Sequence, residues 1–159
     1  MSIKGFLQDL NEVFKENEEE KRKREEVVKQ KEKEKKEFFE LYSNIYNDGI
    51  VKKVKKIEKE LKNDFKIRYK KGPEKPSFNT LEGSLTFQPK FVTDVYEIKI
   101  MVQGQFKDKT LVVLGNATYR LNAKHKGATE VFKDKIELFD PEQTEDFITK
   151  ILRYFFIER

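Results

Sequence analysis

The stretch DVYEIKIMVQGQFKDKTLVVLGNATYRL, residues 94–121, decides the fold. In its first half Tyr96, Ile98, Ile100, Val102 and Phe106 fall on even positions, with Glu97, Lys99, Gln103 and Gln105 between them. Successive side chains of a strand point to opposite faces, so this alternation makes one dry face and one wet one. After Lys107-Asp108-Lys109 the apolar set moves to odd positions, Leu111, Val113, Ala117, Tyr119 and Leu121. Val112 and Leu114 make the start of this second run apolar on both sides. Two such runs joined by a short polar linker predict a β-hairpin. A sheet with one dry face needs a cover, and apolar helices elsewhere in the chain supply one.

The same alternation recurs on either side of the hairpin. Leu85, Phe87 and Phe91 alternate with Thr86, Gln88 and Lys90 ahead of it. Earlier still, Phe65, Ile67 and Tyr69 alternate with Lys66, Arg68 and Lys70, and Lys71-Gly72-Pro73 ends that strand. Beyond the hairpin, residues 122–127 form a polar loop, and Phe132, Ile136 and Leu138 alternate with Lys133, Lys135 and Glu137 in a final strand. Asp140-Pro141 then starts a helix, an acidic N-cap with proline in the first turn. Phe147, Ile148, Ile151, Leu152 and Phe155 are its buried face. Short, consecutively linked strands that are polar on one side make an antiparallel sheet covered on one face. The expected fold class is therefore α+β, a one-sided antiparallel sheet of four to five strands packed on helices.

Two helical segments precede the sheet. Phe38, Leu41, Tyr42 and Ile45, flanked by Phe39 and Tyr46, make a broad apolar stripe that Asn47-Asp48-Gly49 is expected to interrupt. A second helix follows with Ile50, Val54, Ile57 and Leu61 inward and Lys52, Lys53, Lys56, Lys59 and Lys62 outward.

At the N-terminus, Ile3, Phe6, Leu7, Leu10, Val13 and Phe14 recur at the three-and-four spacing of one helical face. A membrane-surface helix carries Lys and Arg on its polar side; here Lys4 and Lys15 are balanced by Asp9 and Glu12. The surfaces that fit such a stripe are a protein groove, a second copy of the helix, or the chain's own core. Residues 16–37 follow, with nine Lys or Arg against nine Glu and only Val27 and Val28 apolar. Glu precedes a base by four at Glu18/Arg22, Glu19/Lys23, Glu20/Arg24, Glu25/Lys29 and Glu32/Lys36, the favourable orientation along a helix. A heptad seam is missing, which makes the run a poor coiled coil, and it reads as a solvated helical spacer of ~33 Å or as a disordered charged linker. The expected organisation is a docking helix at 1–15, a spacer at 16–37 and an α+β domain at 38–159.

Composition narrows the function classes. The chain of 159 residues is 40% charged, yet holds 14 Phe and 6 Tyr, enough aromatic mass for a core beside a charged extension. It contains no Cys, which removes disulfides, thiolate metal sites and cysteine nucleophiles. No uninterrupted apolar run at the N-terminus suggests a leader or a membrane span, and the protein reads as cytoplasmic.

The net charge of +5 is unevenly placed: residues 49–76 carry +7, residues 38–48 carry −2, and the other segments are neutral. Lys52, Lys53, Lys56, Lys59, Lys62, Lys66, Arg68 and Lys70 form a candidate surface for nucleic acid or an acidic protein. A solvated polar face is the commoner reason for such a run, Lys greatly outnumbers Arg, and no recognisable reading motif is present. The lone His125, in Lys124-His125-Lys126-Gly127, lacks the partners of a zinc site and reads as a surface loop residue, on a basic tip able to hold an anion. Glu97-Ile98-Lys99, with Asp94 upstream, resembles the Glu-x-Lys strand of restriction-endonuclease-like nucleases, in which carboxylates hold Mg²⁺ and the Lys supports the attacking water. In that family the second acid comes from a neighbouring element and a helix follows the strand; here Asp94 is on the same strand and a hairpin follows. The expectation is a non-enzymatic protein-binding or assembly module without cofactor or metal. It would dock or oligomerise through Ile3, Phe6, Leu7, Leu10, Val13 and Phe14.

Overall fold

The computed structural model describes residues 2–72 and 79–158. The chain separates into two compact units, Met1–Glu37 and Phe38–Arg159. In the second, five strands, β1 (Phe65–Lys70), β2 (Thr80–Pro89), β3 (Val95–Gln105), β4 (Thr110–Tyr119) and β5 (Thr129–Lys135), form one antiparallel meander in sequence order. The helices are α1 (Ile3–Ser43), α2 (Lys52–Leu61) and α3 (Thr144–Phe156), with a π-helical stretch, Asn44–Val51, between the first two. The fold is α+β with a one-sided sheet.

Register explains the one-sidedness. Phe87 pairs with Ile98, Leu85 with Ile100, and Val102 with Val113, so the buried side chains of neighbouring strands fall in rows on one face. Ile67, Leu81 and Leu111 extend the rows, and Tyr42, Tyr46, Ile50, Val54, Ile148 and Ile151 from the helices close the layer. Three glycines of the sheet set how closely the helices approach. A Cβ on Gly83 would stand 2.3 Å from the Tyr46 ring, one on Gly104 2.8 Å from Tyr42, and one on Gly115 2.4 Å from Ile151. Each helical side chain thus occupies a notch in the sheet. The Tyr42 hydroxyl donates to the Val102 carbonyl (2.6 Å), and the Tyr46 hydroxyl donates to the carbonyls of Lys70 (2.5 Å) and Ser84 (3.0 Å), which satisfies the phenols where water is excluded. Burial raises both phenol pKa values, that of Tyr46 to about 12.

The structure corrects four local expectations. Asn47-Asp48-Gly49 does not interrupt the helix; the backbone runs on with π-helical turns. Phe38, Tyr42, Tyr46, Ile50 and Val54 are all buried and all four residues apart, a spacing longer than an α-helical turn, and the wider π turns keep the later ones facing inward. Tyr96 is exposed and Val95 buried, because a bulge between Val95 and Glu97 inserts one residue ahead of the regular alternation. Leu121 is exposed beyond the end of β4, next to Asn122 at φ 66°. The last strand ends at Lys135, and a 3₁₀ turn, Ile136–Leu138, turns Leu138 outward and Phe139 inward.

Other expectations hold in modified form. Asp140 accepts from the Glu142 N–H at 2.9 Å with Pro141 following, but the cap opens a 3₁₀ turn, Pro141–Gln143, that leads into α3. Phe91 lies past the end of β2. β1 ends at Lys70, and Pro73 of its expected stop lies outside the described residues.

Candidate functional site

In the first unit, residues 3–37 are helical throughout and nearly all exposed. Ile3 (80%), Phe6, Leu7, Val13 and Phe14 (54%) are exposed, and Leu10 in the middle of their stripe is partly covered. At 3.6 residues per turn these six lie on one side of the helix. Asp9 and Glu16 follow one border of the stripe and Lys4 lies beyond the other, while Glu12 and Lys15 sit on the opposite side of the helix. Of the five expected Glu-to-base pairs, Glu19 and Lys23 come within 4 Å, at 3.9 Å, and are mostly exposed. Long solvated side chains lose rotamer freedom when held together, so such pairs add little to the helix.

In the second unit the basic residues divide between two surfaces. Val54 and Ile57 turn α2 toward the core, which leaves Lys52, Lys56, Lys59 and Lys62 exposed on the helix. Lys53 pairs with Glu142 at 2.6 Å, and the Lys55 ammonium lies 5.6 Å from the centre of the Tyr69 ring. The Tyr69 hydroxyl donates to Glu58 at 2.8 Å; burial and this carboxylate both raise its pKa. In β1, Phe65 and Ile67 point to the core, so Lys66, Arg68 and Lys70 emerge on the open face of the sheet, opposite Gln88, Thr86 and Ser84. The eight cations read as one surface from the sequence are therefore separated by the thickness of the sheet. Arg68 is also engaged, with Glu97 at 3.2 Å.

That pair bears on the Glu-x-Lys strand. Glu97 and Lys99 share the open face, as alternation requires, facing Thr118 and Asn116 across the β3–β4 pair. Glu97 meets a guanidinium, and Asp94 precedes the strand, where its carbonyl accepts from the Arg120 N–H. Among the described residues no three His, Asp or Glu side chains gather as a metal set.

The loop carrying His125 has a structural use. The imidazole stacks on Tyr119 with ring centres 4.6 Å apart, and the Lys126 N–H donates to the Tyr119 hydroxyl. The Lys126 ammonium donates to the carbonyls of Tyr154 and Glu158, capping the C-terminal end of α3 where the helix dipole favours a cation. Lys126 of the basic tip is thus committed to the end of α3, while Lys124 and His125 stay exposed.

One feature escaped the sequence reading. Leu61, Phe65, Phe91, Leu152, Phe156 and Ile157 line an open groove of about 380 Å³, in which Phe91 meets Phe65 and Phe156 at 5.5 and 5.3 Å. The signal was Phe91-Val92, an apolar pair set beyond the strand it was assigned to, whose second member is fully exposed. No helix among the described residues is long and apolar enough to cross a membrane. No protein-family model matches the chain, and neither curated proteins nor solved structures give a match.

Proposed function

We propose that the protein is a non-enzymatic assembly module that docks on a protein surface through the N-terminal part of α1. The observation that carries this reading is the stripe of Ile3, Phe6, Leu7, Leu10, Val13 and Phe14, continuous along one side of a helix and exposed. Scattered apolar side chains on a surface need no explanation, but a contiguous stripe does. Fully covering an exposed Leu or Phe side chain gains roughly 1.5–3 kcal/mol, so a stripe of six contributes an amount of the same order as the ~4–15 kcal/mol cost of association. The polar side of this helix carries two charges of each sign, Lys4 and Lys15 against Asp9 and Glu12, which favours a protein over an anionic membrane.

The nucleic-acid reading has less support, since the lysines of α2 and the cations of β1 lie on different faces, and Lys53 and Arg68 already have carboxylate partners. The docking reading is tested by Leu10→Asp, which places a carboxylate in the centre of the stripe. Loss of association, seen as a lower solution mass or release of a bound partner at unchanged helix content, is the expected result. An unchanged mass with nothing released sinks the reading.

A further inference from the structure

The two surfaces that divide the basic residues share one border, the free edge of β1. This strand ends the sheet order and has β2 on one side only. Pro89, which has no N–H, stands opposite Phe65, and the Lys90 N–H donates to the Asp64 carbonyl at 2.8 Å. Bonded and non-bonded positions alternate in an antiparallel pair. Lys66, Arg68 and Lys70 therefore direct their main-chain groups to β2, and Phe65, Ile67 and Tyr69 direct theirs outward. Inward-facing Leu85, Phe87, Ile98 and Ile100 of the inner strands are at most 1% exposed, whereas Phe65 keeps 9% and Ile67 8%, as an uncovered edge leaves them.

Cations flank this edge from both faces. Lys66, Arg68 and Lys70 stand on the open face of the sheet. On the other face Tyr69 touches Lys55 and Glu58, so the side of α2 next to β1 is the one on which helical spacing also groups Lys59 and Lys62. Glu58 and Glu97 are held by Tyr69 and Arg68, which leaves Asp64, at the start of the strand, against six cations. From this we infer that β1 is a docking edge for an extended acidic segment of another protein, which adds to the sheet as a further strand. Main-chain pairing gives affinity in such an addition, and the flanking side chains give selectivity. Acidic side chains at alternate positions meet Lys66, Arg68 and Lys70, and those between them continue the row of Phe65, Ile67 and Tyr69 beside the lysines of α2. Charges on an edge ordinarily keep other strands away. Here they exclude a second β1, whose cations would meet their like, and admit a strand of opposite charge. The other edge differs: β5 mixes Glu130 and Asp134 with Lys133 and Lys135 and is bulged against β4, whereas β1 pairs without a register shift. Nucleic acid fits less well, because phosphates accept from N–H groups but offer no donor to the carbonyls. The inference is independent of the stripe on α1.

The probe is a capped, dye-labelled peptide alternating Glu and Val, added to the full-length protein at about 0.15 M salt, where long-range attraction is screened. Methylating every second amide nitrogen of the peptide removes the donors along one side and keeps every charge, and two such peptides block opposite sides. One should bind as the unmodified peptide does and the other roughly tenfold or more weakly. Lys66→Glu with Lys70→Glu, both exposed, should weaken binding by a similar factor at unchanged circular dichroism, and a peptide alternating Lys and Val should not bind. The Ile67 and Tyr69 amides should exchange fast in the free protein and slowly with the peptide bound. An equal response of the two methylated peptides, slow exchange of both amides in the free protein, or no saturable binding overturns the inference. So does tighter binding of a single-stranded oligonucleotide of equal charge, which would make the edge a nucleic-acid surface.

Discussion

Gly83→Ala tests the closeness of helix and sheet on which the fold depends. An added Cβ would lie 2.3, 2.5 and 2.6 Å from three carbons of the Tyr46 ring, where carbon–carbon contacts are comfortable at about 3.5–4.0 Å. The ring must retreat by ~1 Å, and its hydroxyl is held at 2.5 Å from the Lys70 carbonyl and 3.0 Å from that of Ser84. Overpacking of this kind costs about 1–3 kcal/mol, and a carbonyl left without its donor adds about 1–3 kcal/mol. A loss of roughly 3 kcal/mol follows, a large part of the 5–15 kcal/mol typical of a domain. Urea titration followed by circular dichroism reads it as a lower midpoint at unchanged slope. Gly127→Ala, where nothing lies within 4 Å, is the control and should stay within about 0.5 kcal/mol. The cost should also fall sharply in a Tyr46→Leu background, since the two residues are in contact. A loss below about 1 kcal/mol, or one indifferent to Tyr46, would refute the notch.

Stability should decline in alkali. The folded-state pKa of Tyr46 is raised by burial from 10.0 to about 12 and that of Tyr42 is raised further, so their contribution is intact below pH 10 and is lost as pH climbs through the folded-state values. Phenolate absorbance from Tyr42, Tyr46 and Tyr69 should accordingly appear only with unfolding; their ionisation near pH 10 in the folded protein contradicts the burial. Duplex or single-stranded nucleic acid should show no binding at about 0.15 M salt, where nonspecific binders retain dissociation constants of roughly 10⁻⁴–10⁻⁶ M. Binding there, with a salt slope that Lys52→Glu, Lys56→Glu and Lys59→Glu together flatten, would instead favour the basic face of α2.

What was readable in the chain is what depends on near neighbours. Alternation in β3 and β4 identified the hairpin because each strand has one dry face, the same rule found β1, and helical three-and-four spacing found the inward face of α3. It failed at Tyr96 and Leu138, where a bulge and a 3₁₀ turn move the phase by one residue without any mark in the residue types. Asn47-Asp48-Gly49 has the composition of a break, but packing of Tyr46, Ile50 and Val54 overrides local preference. The notches at Gly83, Gly104 and Gly115 were invisible, since each is defined by a side chain far away in sequence. The stripe on α1 was fully legible. The division of the basic residues was half legible: alternation separates Lys66 from Phe65, but the position of α2 relative to β1 is a tertiary fact.

The π-helical stretch gives the two halves of the fold unequal tolerance to changes in length. Its wide turns accommodate about one residue more than an α-helix uses for the same rotation. Removing the exposed Asp48 would return the inward positions around it to three-and-four spacing, with Tyr46, Ile50 and Val54 still directed at the sheet. A strand has no such reserve, because losing one residue from the middle of β3 turns every later side chain to the opposite face. Loss of one residue is therefore absorbed in the π-helical stretch and is ruinous within the sheet itself.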